Sequence, residues 1–141
     1  MTDATLNKSI YFAAPREVVW GYLTQKDKLA LWFHPAEADL AAGQDYALVG
    51  ENDDGTTSKI CWGNVLEMEA PAHLKYTFTI KPLGDATTTV TWTLEAVDGG
   101  TKLSLEHAGI SAAAGEAAMG LLLALDAGWD KHLSNLRTAA A

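Results

Sequence analysis

Two ionisable side chains stand where a catalytic or binding group would be placed. His107 falls on the same strand face as Leu103 and Leu105, and Asp126 falls on the apolar stripe of the terminal helix. An imidazole on an apolar face can exchange a proton near neutral pH and act as a general acid or base. A carboxylate opposite it could orient the ring or hold a polar group of a ligand. The competing reading is a core histidine with its nitrogens satisfied, and a carboxylate turned out past the edge of the stripe. No nucleophile accompanies the pair in a recognisable motif, so no catalytic residue is assigned.

The remaining chemistry-bearing residues are weaker signals. Trp32, Trp62, Trp92 and Trp129 are spread over helix, strand and terminal helix. They read either as the lining for a flat apolar ligand or as a packed core. Trp20 is expected to pack the first helix on the sheet. His34 and His73 sit beside turns and His132 on the last helix, without metal-ligand spacing. They are expected to be surface or structural groups, and no metal is expected. Cys61 stands in a strand beside Trp62 and is expected to be buried and inert. The run Glu51-Asn52-Asp53-Asp54-Gly55 lacks the ligand spacing of a calcium loop and reads as a hairpin tip. Without a phosphate-cradling glycine loop, zincin helix or nucleophile elbow, no cofactor is expected.

The elements that must position these groups follow from periodicity. A strand ends over Ser9 to Ala13, and Pro15 opens a short helix with Val18, Val19, Tyr22 and Leu23 on its apolar face. A second short helix runs from Asp27, its expected cap, to Trp32, and Pro35 stops it. Strand-like runs follow at Asp45 to Val49, Thr57 to Met68, His73 to Ile80, Thr87 to Val97 and Thr101 to His107. In the last three, alternation puts Leu74, Tyr76, Phe78 and Ile80 on one face. Val90, Trp92, Leu94 and Ala96 share that face, as do Leu103, Leu105 and His107. Short turns between them favour an antiparallel meander. The terminal helix, Ala112 to Arg137, carries Met119, Leu122, Leu123, Asp126, Trp129, Leu133 and Leu136 at three- and four-residue spacing. Leu121 and Leu125 lie off that stripe. A helix apolar on more than one face must be covered on several sides or line a cavity. Gly128 is expected to allow close approach of the helix to a neighbour, and Ala139-Ala140-Ala141 is expected to fray.

Composition narrows the function. One domain over residues 1–141 is expected, with the 48% hydrophobic and 20% charged content of a globular protein. A net charge of -8 argues against nucleic acid, whose binders need a basic patch, and against anionic lipid surfaces. A lone cysteine forms no internal disulfide, no stretch looks like a signal peptide, and no segment is read as long enough to insert in a membrane. A cytoplasmic location is the expectation. The Asn7-Lys8-Ser9 glycosylation match is then without meaning.

The ordered pieces resemble a known family. The carriers are Ala14-Pro15 before Glu17-Val18-Val19-Trp20, the run Leu29-Ala30-Leu31-Trp32-Phe33-His34-Pro35, then Gly63-Asn64-Val65-Leu66-Glu67-Met68 with Pro71. Thr91-Trp92-Thr93-Leu94-Glu95, the stretch from Gly100 to Gly109, and Gly128-Trp129 with Leu133 and Leu136 complete them. Together they resemble the branch of the START/Bet v-like (SRPBCC) helix-grip superfamily named for the C-terminal domain of the activator of the heat-shock-protein-90 ATPase. The resemblance implies an α+β fold, with a curved antiparallel sheet around a long C-terminal helix and two short helices after the first strand. Members bind lipophilic molecules, act on them as cyclases or hydrolases, or remain without a known role, and the name of the branch implies chaperone activation and stress response. His34 stands where the family pattern has glycine, which puts a ring near the pocket entrance. The separate N-terminal domain of eukaryotic chaperone activators is not seen in this sequence.

The expectation is therefore a protein that binds a small lipophilic molecule in a hydrophobic cavity between sheet and terminal helix. The expected border is Trp32, Phe33, Trp62, Tyr76, Trp92, His107, Met119, Leu122, Leu123, Asp126 and Trp129. Trp62 is the residue whose face a bulge at Gly63 would change. The alternatives are a cyclase or hydrolase using His107 and Asp126 in the same cavity, or an interaction module with a chaperone partner. A homodimer is compatible with each.

Overall fold

The computed structural model describes residues 5–84 and 86–140. Strand β1 (Leu6–Phe12) is followed by helices α1 (Arg16–Thr24) and α2 (Lys26–Trp32). The meander β2 (Asp45–Glu51), β3 (Thr57–Glu69), β4 (His73–Ile80), β5 (Thr88–Val97) and β6 (Gly100–Ala108) comes next. Helix α3 (Ile110–Ala114) and helix α4 (Ala118–Ala139) close the chain. All pairings are antiparallel, and the strand order is β1-β6-β5-β4-β3-β2. This is the expected α+β helix-grip: a curved sheet, two short helices after the first strand and a long C-terminal helix.

Alternation builds the inward face. Register aligns Tyr76, Val90 and His107 in one row across β4, β5 and β6, and Leu74, Trp92 and Leu105 in the next. All six are buried. Thr89, Thr91 and Thr93 of β5 take the other face, while Thr88 is buried on the inward one, so the sheet has one mainly apolar and one polar side. The outlying expected member, Ala96, is exposed, because β5 has by then run past the core.

Lys8 also belongs to the inward face, in register with Leu105, but on the edge strand. Its Nζ reaches Asp126 at 2.5 Å and Asp130 at 2.8 Å, one helical turn apart on α4. An inward-pointing charge on an edge strand also discourages pairing with another strand. The two carboxylates raise the Lys8 pKa, so the pair stays ionised.

Helix α4 departs from the expected single rod. Gly115, at φ +58°, breaks the run into α3, one 3-10 turn and α4. The inward face of α4 is set by Trp129, Leu133 and Leu136, all buried. Counting back from Trp129 at 100° per residue, Leu122 and Leu125 fall within about 40° of the same direction. Leu123 lies about 120° away and Met119 about 80° away. Met119 and Leu123, expected on the inward stripe, are accordingly 62% and 63% exposed. Leu121, Leu122 and Leu125 are half-buried against the core.

By length and composition alone, the helical run Ile110–Ala139 meets the requirement for a membrane span, with a mean hydropathy of 1.4 and 6% of that window buried. This corrects the sequence reading, which weighed only the leucine-rich stretch and not the alanines before it. The second half of α4 is nevertheless built into the sheet. The expected fraying of the terminus is also corrected within the described residues: Ala139 ends α4 and accepts a hydrogen bond from Tyr22 Oη at 2.9 Å, and Ala140 is buried. Ala141 lies outside the described residues.

Local chemistry accounts for the other boundaries. Helix α2 starts at Lys26, and Asp27 is not its cap; Asp39 accepts from the Lys26 backbone N–H at 2.8 Å instead. The acidic run between β2 and β3 forms the expected hairpin tip, where Asp54 accepts from both the N–H and the hydroxyl of Thr56. In β3, register against β2 passes from Leu48–Cys61 to Val49–Lys59, so Ile60 is an extra residue. Gly63 is required by close approach, because a Cβ there would collide with the backbone carbonyl of Thr77.

Gly63→Ala is expected to lower unfolding free energy by about 1–3 kcal/mol, the usual cost of overpacking. Gly120→Ala, in α4 where a Cβ meets nothing, is expected to raise it by up to about 1 kcal/mol through helix propensity. Urea titration of the two variants checks both signs.

Candidate functional site

The site is organised around Trp129. Its indole Nε1–H donates to His107 Nδ1 at 3.0 Å. On the other side of the imidazole, His107 Nε2 lies 2.7 Å from Thr88 Oγ1, and that hydroxyl donates its own proton to the Phe78 carbonyl at 2.9 Å. Nδ1 is thus an acceptor, and Nε2 carries the hydrogen that Thr88 accepts. The ring is a neutral imidazole with both nitrogens engaged, and burial lowers its pKa to about 4. Of the two readings open in the sequence, His107 is the satisfied core histidine. Asp126 does not face it, because Lys8 holds that carboxylate at the flank of the helix. The two polar groups assigned to a cyclase or hydrolase reading therefore do not meet.

A cavity of about 130 Å³ lies beside this network, between α4, β3, β4 and the residues that follow α2. Phe33 and His34 border it on one side. Ile60 and Cys61 reach it from β3, and Phe78 and Ile80 from β4. Helix α4 contributes Leu125, Gly128, Trp129 and His132, spaced so that they share one face. The extra residue at Ile60 explains how two consecutive β3 side chains reach the same space, since a bulge turns neighbours that would otherwise point apart. A Cβ added at Gly128 would meet nothing within 4 Å, so the expected close approach at this glycine is corrected: it faces open space.

Cys61 is the inert thiol expected, buried and pushed up to about 12. The polar edge consists of His34 and His132, whose ring centroids are 5.3 Å apart at 73°. Phe33 lies between them and the indole, 4.6 Å from the His132 centroid and 5.3 Å from that of Trp129. His132 Nδ1 lies 3.4 Å from the Trp32 carbonyl oxygen. Burial lowers the pKa of both histidines, and His132 lowers that of His34 further. Among the described residues no three His, Cys, Asp or Glu side chains are grouped to hold a metal ion.

The expected border residues separate into three groups. Phe33 and Trp129 line the cavity. Trp32, Tyr76, Trp92 and His107 pack next to it as solid core: Trp92 meets Trp32 and Trp129 edge-on at 6.1 and 5.6 Å, and donates to Tyr76 Oη at 2.9 Å. Trp62, Met119, Leu122, Leu123 and Asp126 are not on the lining. Trp62 pairs with Thr79, beside the lining pair Cys61 and Ile80, and so takes the opposite face of the sheet. His34, the departure from the family pattern, lies on the lining. His132 and Gly128 were missed, although both share with Leu125 and Trp129 the spacing of one helix face. The signal was present, but it could be read only once Trp129 had set the rotation of α4.

This architecture defines the class: a helix-grip protein with a small apolar cavity under its terminal helix. The chain belongs to the Activator of Hsp90 ATPase homolog 1-like protein family, whose model matches residues 13–141. No curated protein matches it significantly. Among solved structures it is similar to a protein from Mesorhizobium loti, at 25% identity and TM-score 0.75 over 96% of each chain. CalU16 from Micromonospora echinospora is 25% identical, with TM-score 0.76 over 97% of this chain and 76% of that one. A protein from Arthrobacter aurescens is 19% identical, with TM-score 0.79 over 96% of this chain and 85% of that one; at that identity the likeness concerns the fold. The family and fold are consistent with ligand binding.

The buried network has a pH signature. His107 titrates near 6.5 when unfolded and near 4 when folded, so between these values the unfolded chain binds more protons. Its contribution to stability is complete above pH 6.5 and is lost as pH falls towards 4. Between pH 7 and pH 5 it is expected to decline by about 2 kcal/mol. His34 and His132 act in the same direction. Denaturation at both pH values should show a smaller decline for His107→Gln, isolating the buried ring.

Proposed function

We propose that the protein binds a small lipophilic molecule in the cavity between β3, β4 and α4. The carrying observation is Gly128, a glycine inside a core helix beside which the structure keeps open, mainly apolar space. Native interiors are close-packed, and a void lined by aromatic rings with one polar edge is the usual form of a ligand pocket. At about 130 Å³ it is small for such a pocket. A cavity of about 150 Å³ accepts benzene. The occupant is therefore a single ring or a short chain. Enzymatic turnover through His107 and Asp126 finds no support in this geometry, since each is committed to another partner.

Trp129 reports on the site. Titration with toluene is expected to change tryptophan emission saturably. Gly128→Leu, which places a side chain in the open space, should abolish the change while circular dichroism and the melting transition are retained. Absence of a saturable change with toluene, benzene or hexanol would overturn the proposal.

A further inference from the structure

The same cavity carries a recognition element that its apolar walls do not need. His34 and His132 are the imidazoles on its lining, each half-buried and placed edge to face at 5.3 Å. His132 turns Nδ1 towards the Trp32 carbonyl, which takes its hydrogen and leaves the Nε2 lone pair available as an acceptor. His34 forms no side-chain hydrogen bond among the described residues, and its neutral ring carries one N–H. An acceptor and a donor on two rings whose centroids lie 5.3 Å apart match a group that both gives and takes one hydrogen bond, which is a hydroxyl. A carboxylate would find no cation on the lining among the described residues. Phe33, Phe78 and Trp129 meet at centroid distances of 5.3 and 6.1 Å with tilts of 41° and 45°, walls suited to a flat ring.

We infer that the ligand is a small aromatic molecule bearing a hydroxyl group, whose ring fills the apolar slot and whose O–H donates to His132 Nε2 while the His34 N–H donates to its oxygen. This rests on the small-molecule binding proposed above and specifies its chemistry. It gives His34 and His132 a positive role, as the pair that selects a hydroxylated ring over a bare one.

Protonation removes the acceptor, so binding of the hydroxyl depends on pH. The groups facing His132 are His34 from the segment after α2, Lys131 on α4 and Cys61 on β3. From β4 come only Phe78 and Ile80, and from α2 only the Trp32 carbonyl. Asp130 is held by Lys8 on the far flank. His107 lies behind Trp129, at a centroid distance of 6.0 Å. Among the described residues no carboxylate stands against the imidazole pair, and burial opposes its charge.

The test uses the full chain with phenol, its isostere toluene, and benzoate, each titrated by tryptophan emission at pH 8 and pH 5. At pH 8 phenol is expected to bind about tenfold more tightly than toluene, the worth of a hydrogen-bonded hydroxyl in such a pocket. As pH is lowered and the pair takes up protons, phenol should lose that advantage while toluene is unchanged. His132→Leu should bring the two ligands to parity with toluene binding retained, and His34→Ala should reduce the preference in part. The pH comparison on the unmodified chain stands even if a variant fails to fold. Toluene binding as tightly as phenol at pH 8 overturns the hydroxyl assignment and leaves the cavity reading intact. Benzoate binding best, and more tightly at pH 5, replaces it with anion recognition. Failure of both toluene and phenol to bind overturns both proposals.

Discussion

The hydrogen bond from Trp129 to His107 is the contact on which the site depends. It joins the terminal helix to the middle of the sheet at 3.0 Å, inside the core, where an unmet donor or acceptor would be costly. Because Thr88 and the Phe78 carbonyl complete the chain, the imidazole has one tautomer and one orientation, and so has the indole. A helix held at one buried residue in this way cannot rotate. Every other α4 side chain is then assigned by its angle from Trp129. Leu133 and Leu136 go to the core, Gly128 and His132 to the cavity, and Met119 and Leu123 to the surface.

Lys8 makes the same assignment from the edge of the sheet. A lysine on the inward face of β1 would be poorly placed without partners, and Asp126 and Asp130 supply them on consecutive turns of α4. One constraint acts in the apolar centre and the other at the half-exposed rim, where ion pairs contribute little stability but do set direction. Between them the helix has one rotation over the sheet.

The cavity is what these constraints leave over. The large rings of Trp32, Trp92 and Tyr76 meet edge to face or share a hydrogen bond, and fill the concave sheet towards β5. Towards β3 the filling stops, because α4 presents Gly128 where a side chain would close the gap. The extra residue at Ile60 turns both Ile60 and Cys61 into that space, giving it an apolar floor. At the entrance, two imidazoles replace what would otherwise be a wholly apolar rim.

Much of the fold was legible in the chain itself. Period-two alternation in β4, β5 and β6 specified which side chains turn inward, because strand geometry leaves only two faces. Pro15, Pro35 and the glycine-rich turns marked the element ends, and the ordered pieces carried the family. A helix offers a continuum of directions, so periodicity placed Trp129, Leu133 and Leu136 of α4 inward but drew the stripe too wide, taking in Met119, Leu123 and Asp126. The identity of the cavity side chains, the pairing of Asp126 with Lys8 and the neutrality of His107 required tertiary structure. Each depends on which residues from distant segments meet, and on which hydrogen bonds remain to be satisfied once water is excluded. The sequence by itself determined the sheet, its inward face and the presence of a covering helix. Only tertiary packing decided the rotation of that helix, and with it where the molecule keeps space.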